Sequence, residues 1–206
     1  MPGVDDLDSV RMTGSRLLPV LPLDDVCLFP GASLVVPIHS PAALTAVRLA
    51  ERTGGELLVL AYRESGGGPR DLHSVGTVAE VRCVRELAPL EHEVELDGAF
   101  RVHVETLLGA DVLAAEVLPI EEGDAGDEWG PAVEALARYL HAHAALRDFL
   151  EKQRRSTEPM SWVNLACQHL PIAASARQKL LEANAPQRCL KISRGLDALL
   201  RKEHTA

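Results

Sequence analysis

The sequence predicts an α+β protein with a β-rich first half and a helical second half. Three observations carry this. In EVELDGAFRVHVE (93–105), Val94, Leu96, Phe100, Val102 and Val104 share one parity, while Glu93, Glu95, Asp97, Arg101, His103 and Glu105 share the other. That is a half-buried antiparallel strand, and the text from His73 to Ile120 is strand-like throughout. Beyond Pro131, apolar residues recur at helical spacing to the end. Between the two lies EEGDAGDEWG (121–130), which is acidic, Gly-rich and aperiodic, as a linker is.

The elements follow in order. Residues 1–16 are expected to be a disordered leader. LLPVLPL (17–23) carries two prolines in an apolar run, which suits a first or edge strand. SLVVPIH (33–39) is a second strand. Ser40 then has the position of a helix N-cap and Pro41 that of the first helical residue. The helix it opens ends at Gly54 and Gly55. ELLVLAY (56–62) is a buried strand and RESGGGPRD (63–71) a loop. Val78 to Arg85 alternates poorly, which hints at a bulge. LAPLEH (87–92) is the better hairpin tip, while Asp97-Gly98 fits either a two-residue turn or a bend inside one strand. VLAAEVLPI (112–120) is the sixth strand. PAVEALARYLHAHAALRDFLEKQRR starts a helical run at Pro131; Glu158-Pro159 opens a shorter helix stopped by Pro171; Ser175 to Ala183 and the stretch from Pro186 supply two more. The expected division is therefore a β part at 17–122 and a helical part at 123–206, with its helices within 131–203.

Charge is uneven. Residues 17–122 hold 7 Arg, no Lys and 17 Asp plus Glu, a net of −10, whereas residues 123–206 hold 12 basic and 10 acidic residues. An acidic β part repels phosphate backbones, and aromatics interleaved with basic residues for base stacking are lacking. No apolar run approaches the roughly 18 residues that span a bilayer, so no membrane partner is expected. The N-terminus has neither a basic nor an apolar export region, so the chain is expected to be cytoplasmic. Cys27, Cys83, Cys167 and Cys189 are scattered without CxxC spacing and read as buried thiols.

Catalytic signatures are missing. The chain has no GxxxxGK[ST] loop, no GxSxG elbow and no SxxK pair. His92-Glu93 fails as a zinc motif because Leu96 stands where the second His belongs. His141 and His143 diverge on a helix, so no metal is expected there. The glycines at 66–68 lack dinucleotide-loop spacing and a following helix. Adjacent carboxylates such as Asp24 and Asp25 cannot share a substrate from a strand. No cofactor and no enzymatic activity are expected. Arg101, on the polar parity, reads as solvated or ion-paired.

The order of motifs adds a family. LPVLPLDDVCLFPGASLVVPI, DLHSVGTVAEV (71–81), DGAFRVHV, AAEVLPI and the helical text from FLEKQRR to CQHLPIAASARQKLLEANAPQRCLKISRGLDALL resemble, in this order, the N-terminal substrate-binding (LON) domain of the ATP-dependent Lon protease. The likeness covers about 17–203, and Phe29, Pro30, Gly31, Gly76, Gly98 and Arg101 are its signature positions. The ATPase and protease domains of Lon are not in this sequence, so the resemblance is to a stand-alone LON-domain protein. It implies a PUA-like six-stranded β-barrel (with one helix) followed by a C-terminal helical bundle. In the protease that region engages unfolded or tagged polypeptide substrates, and the leading expectation for this chain is a non-catalytic module binding polypeptide segments, as adaptor or competitor in proteolysis or as holdase. A full-length Lon protease is a further expected partner, and a weak homodimer is allowed. The alternative reading is an RNA-binding PUA-like protein, which the charge disfavours. A peptide-binding surface should be an exposed apolar patch rimmed by acidic groups, and Leu34 and Trp162 are its candidate interaction residues. PLDDVCLFPG itself reads as a fold corner, with Asp24 and Asp25 in solvent and Pro30-Gly31 as the centre of a type II turn.

Overall fold

The computed structural model describes residues 15–63, 68, 71–88, 91–154 and 158–203. Most of the expected leader, residues 1–14, and most of the 63–71 loop lie outside the described residues. The strands are β1 (Arg16–Leu23), β2 (Ser33–Ile38), β3 (Glu56–Ala61), β4 (Val75–Ala88), β5 (Glu91–Leu108) and β6 (Ala114–Pro119). Helix α1 (Pro41–Arg52) lies between β2 and β3; Ser40 accepts from the Ala43 amide and Pro41 occupies the first turn.

The strand order is β2-β5-β4-β3-β1-β6, with a further pairing between β5 and β6. β1 and β3 are parallel and the other pairs antiparallel. This corrects the expected PUA-like six-stranded barrel: the protein forms a mixed sheet, a ring of strands that does not close into that barrel. β2 pairs only with the first half of β5, from Ser33 opposite Asp97 to Ile38 opposite His92, and so stands at an edge. The second half of β5 turns instead to β6, with Val102 opposite Pro119 and Leu108 opposite Ala114. One strand of 18 residues thus serves different neighbours along its length.

β5 runs unbroken through Asp97-Gly98, so the bend reading holds there, and the β4–β5 ladder reaches Ala88 opposite Glu91; residues 89–90 of the expected hairpin tip lie outside the described residues. The expected bulge is present as register shifts at Val78/Ala79 and Val81/Cys83.

A 3-10 turn (Gly126–Glu128) leads into five helices: α2 (Trp129–Ala142), α3 (Ala144–Gln153), α4 (Pro159–His169), α5 (Ala174–Glu182) and α6 (Ala185–Glu203). The run from Pro131 is therefore two helices. His143 leaves helical geometry at φ −122°, ψ 66°; its Nδ1 lies 2.8 Å from the Tyr139 carbonyl and its ring stacks on Tyr139 at 4.1 Å. The side chain engages its own helix end, and the backbone restarts. The helix also begins at Trp129, two residues before Pro131, which its first turn accommodates because those amides have no intrahelical acceptor.

One hydrophobic cluster runs through both parts. Leu21, Phe29, Val47, Leu57, Val94 and Leu96 from the β side join Ala132, Tyr139, Leu150, Leu165, Leu181 and Leu196 from the helices. A second cluster, with Leu18, Val20, Val78, Val102 and Val117, fills the other face of the sheet. The apolar parity of β5 is therefore divided between two cores, which explains why its polar parity is not simply a solvent face.

The corner at Phe29–Ala32 joins these layers. Gly31 has φ +78° and the Ala32 amide donates to the Phe29 carbonyl at 3.1 Å, which is the expected turn. Gly31 donates to the Gly98 carbonyl at 2.8 Å, and Gly98 donates to the Ala32 carbonyl at 2.9 Å. A Cβ on Gly98 would lie 2.3 Å from the Phe29 carbonyl oxygen. Gly98→Ala should therefore cost about 1–3 kcal/mol by overpacking, and Gly31→Val about 1–3 kcal/mol through backbone strain. Both should lower the urea midpoint; an unchanged midpoint for Gly31→Val would contradict the turn.

Candidate functional site

Arg101 is 1% exposed and Arg188 0%, although both carry a permanent charge. Burying a guanidinium is tolerable only with a counter-charge and filled donors. Glu122 supplies the charge. Arg101 Nε donates to Glu122 Oε1 at 2.7 Å, and Arg188 Nη1 donates to Glu122 Oε2 at 3.2 Å. The remaining donors reach the C-terminal end of α5. Arg101 Nη1 donates to the carbonyls of Leu181 (2.7 Å) and Ala183 (2.9 Å). Arg188 donates to Leu180 (2.9 Å) and Ala183 (2.9 Å), and to Asn164 Oδ1 on α4 at 2.6 Å. Those carbonyls are the ones a helix end leaves unpaired, and they carry the negative end of its dipole. Burial, then the like charge of Arg188, lowers the pKa of Arg101, while Glu122 opposes the shift.

Arg101 was read as solvated or ion-paired; it is ion-paired and not solvated. Helices cover its face of β5, and strand parity cannot report that. Glu122 lies in the aperiodic linker, where nothing in the local pattern marks it.

A second set of bonds pins the irregular segment before the turn. Gln168 of α4 accepts from the Phe29 amide and donates to the Cys27 carbonyl, both at 2.9 Å. Thr77 of β4 donates to the Leu28 carbonyl at 2.5 Å. Gln178 of α5 accepts from Cys27 Sγ at 3.2 Å and donates to the Val75 carbonyl at 3.1 Å. A buried stretch outside any strand thus has its polar groups satisfied by side chains of both the helices and the sheet. The Arg188 guanidinium also sits 5.9 Å from the centre of the Phe29 ring.

These contacts border a cleft of about 850 Å³ between the β part and the helices. Pro30, Gly31 and Gly98 form one wall; Trp129, Met160 and Ser161 form the other, with Glu122, Asp124 and Glu158 at its margin. Signature positions Phe29, Pro30, Gly31, Gly98 and Arg101 are gathered around this joint, while Gly76 is buried in β4 opposite Val102. Leu34 and Trp162 are not brought together there. Leu34, half-buried in β2, faces Leu96 across the ladder, and Trp162 is half-buried against the core with Arg154 over its ring at 5.3 Å.

A separate groove of about 410 Å³ lies between α5 and α6. Its floor is apolar, from Leu170, Ile172, Leu180, Ile192, Leu196 and Leu199, and its rim is Lys179, Lys191 and Lys202. This groove contains neither Leu34 nor Trp162, and its rim is basic where the patch expected at those residues is acid-rimmed. The lysines sit on two helices, so charge counts by half of the chain do not reveal their convergence.

Reactive chemistry finds no support in the thiols. Burial pushes Cys27 up to about 11, against the lowering effect of Arg177, and pushes Cys167 up to about 12. Both are protonated at neutral pH and are poor nucleophiles. Among the described residues no group of three or more His, Cys, Asp or Glu could hold a metal ion.

A sequence profile for the ATP-dependent protease La (LON) substrate-binding domain matches residues 17–196. The Lon protease of Methylocella silvestris is 32% identical over 136 residues, covering 64% of this chain and 16% of that protein. The N-terminal domain of the Mycobacterium avium complex Lon protease superposes with a TM-score of 0.71 at 21% identity, covering 89% of this chain and 98% of that one. A Lon N-terminal domain protein from Xanthomonas campestris gives 0.62 at 21% identity, covering 85% and 95%. The chain spans only 16% to 24% of the length of the curated relatives it matches.

Two outcomes test the joint and the thiols. Glu122→Gln leaves two buried guanidiniums without a counter-charge, a change that costs about 3–5 kcal/mol in fully buried pairs. Glu122 is itself 29% exposed, so a loss near or below the low end is expected in urea unfolding, and no loss would contradict the network. A native thiol titration should find Cys83 reacting first, since it alone among the four is not buried. Cys27, Cys167 and Cys189 should react only on unfolding, and four fast thiols would contradict their burial.

Proposed function

The chain belongs to the family of ATP-dependent protease La (LON) substrate-binding domains, and on that premise we propose that it is a non-catalytic polypeptide-binding module. In this reading it engages unfolded or tagged segments, as an adaptor or holdase in proteolysis, in the cytoplasm and with a full-length Lon protease as a partner. The observation that carries the proposal is the groove between α5 and α6, whose floor is nearly all apolar. Such a floor gains free energy by leaving water at about 25 cal/mol per Å² and demands no particular reactive group on its ligand.

The surroundings agree with this use. The groove shares no lining residue with the larger cleft, and it meets the buried joint at Leu180, whose carbonyl accepts from Arg188. Among the described residues no helix is long and apolar enough to cross a membrane. Trp129 and Met160 in the larger cleft offer a further adaptable apolar surface, since a thioether fits irregular ligands.

The test uses a reduced, denatured client protein whose aggregation is followed by light scattering, together with a photo-crosslinker placed at Ala198 beside the groove. A suppression that saturates near one chain per client, with crosslinks to the client, is expected. Unchanged aggregation together with an absence of crosslinks would overturn the proposal.

A further inference from the structure

The larger cleft, between the β part and the helices, holds polar groups with no partner among the described residues. Asn164 is 3% exposed and lines this cleft. Its orientation is set by its neighbour, because a guanidinium only donates: Oδ1, 2.6 Å from Arg188 Nη1, faces the arginine. The Nδ2 amide is thereby left for the cleft. It donates to nothing among the described residues, and it is not sealed from the surface as His92 Nδ1 is. An amide nitrogen left without an acceptor in a buried site lowers stability, and a ligand oxygen removes that cost.

The start of α4 is the second observation. Glu158, Met160 and Ser161, its N-cap and first turn, line the same cleft, and no side-chain bond caps this end. An eleven-residue helix therefore turns free amides and the positive end of its dipole toward the cleft. Ser161 and Asn164 stand three residues apart, on one face of α4. The Ser161 hydroxyl lies against the turn, since a Cβ on Gly31 would be 2.9 Å from its Oγ. Pro30, Trp129 and Met160 give the cleft its apolar surface. No Lys or Arg lines it, and the guanidiniums of Arg101 and Arg188 are at most 1% exposed and spent on Glu122 and helix carbonyls. A carboxylate drawn out of water needs a cation beside it. The acceptor that suits these donors is therefore neutral, the carbonyl of an amide.

We infer that this cleft binds an extended polypeptide segment through one main-chain carbonyl and the apolar side chain beside it. Asn164 Nδ2 and Ser161 Oγ donate to the carbonyl, and Trp129, Met160 and Pro30 take the side chain. The segment is extended because a helix keeps its carbonyls for its own amides. The inference rests on the polypeptide-binding reading and adds a site that shares no residue with the α5/α6 groove. A purely apolar ligand would leave Asn164 unpaired, and an acidic one would lack its cation.

The probe is a capped heptapeptide of glycine and serine with one central leucine, titrated into the full chain carrying Trp162→Phe. That change leaves Trp129 as the only tryptophan, so its emission reports the cleft directly. The leucine peptide should shift the emission to the blue. Peptides with glycine or glutamate in place of the leucine should bind about tenfold more weakly. Asn164→Asp turns the donor into an acceptor while giving Arg188 a charged partner. It should weaken leucine-peptide binding about tenfold with no fall in melting temperature. Ala99→Trp, at an exposed position on the cleft wall, should block binding by filling the space, and it decides alone if Asn164→Asp does not fold. Full binding by a folded Asn164→Asp or by Ala99→Trp, or tighter binding of the glutamate peptide, would overturn the inference. If the unaltered chain captures the denatured client but not the leucine peptide, the cleft assignment fails and the polypeptide-binding reading stands. If it captures neither, both fail.

Discussion

Two buried guanidiniums and one carboxylate set the terms for the rest of this structure. Arg101 comes from the sheet, Arg188 from the last helix and Glu122 from the segment between the two parts. None of these charges could be buried by its own part alone. Among the described residues the carboxylate paired with Arg101 is Glu122, which lies outside the strands, and the C-terminal end of α5 has carbonyls that need donors. Each part thus completes the hydrogen bonding of the other. The charge balance within the triad is +1, and the dipole end of α5 takes up part of that excess. Such a network adds little net stability compared with an apolar contact of the same size, but it makes misplacement expensive. Its effect is to fix how the helices sit on the sheet.

The turn at Pro30-Gly31 works within that frame. The stretch from Cys27 to Ala32 leaves strand geometry, so its polar groups need partners other than a strand ladder. Gln168 and Gln178 come from helices, Thr77 and Gly98 from strands. The stretch is held from both layers, and it forms one wall of the larger cleft. The apolar cluster shared by both parts gives the bulk of the attraction. The polar contacts decide the register of the joint. The joint also ties α6 to the end of α5, since Arg188 donates to the Leu180 and Ala183 carbonyls.

Much of this was legible in the sequence, and the limits have physical causes. Parity marked β5, and N-cap and proline chemistry marked α1, because both are local effects. The type II turn was legible for the same reason. The missed features are non-local. Parity placed Arg101 on a polar face but could not show that helices cover that face. Glu122 lies 21 residues on, in text without a period. The six-stranded barrel was expected from resemblance, whereas closure depends on which strands pair, and β2 finds only β5. The helix break at His143 is a side-chain bond inside a run of good helix formers, so no propensity marks it. The groove was half legible: the spacing of Lys191, Gly195, Leu199 and Lys202 is a readable stripe, but Lys179 joins it only after folding.

The central claim is that the two parts fold as a single cooperative unit through the Arg101–Glu122–Arg188 joint. Native-state hydrogen exchange across a urea series tests it most directly, because it reports the opening free energy of each amide separately. The account predicts that the most protected amides of β4 and β5 and those of α4 and α6 converge on one common opening free energy, equal to that of global unfolding. Exchange of the helices through a cheaper opening that leaves the sheet protected would contradict it.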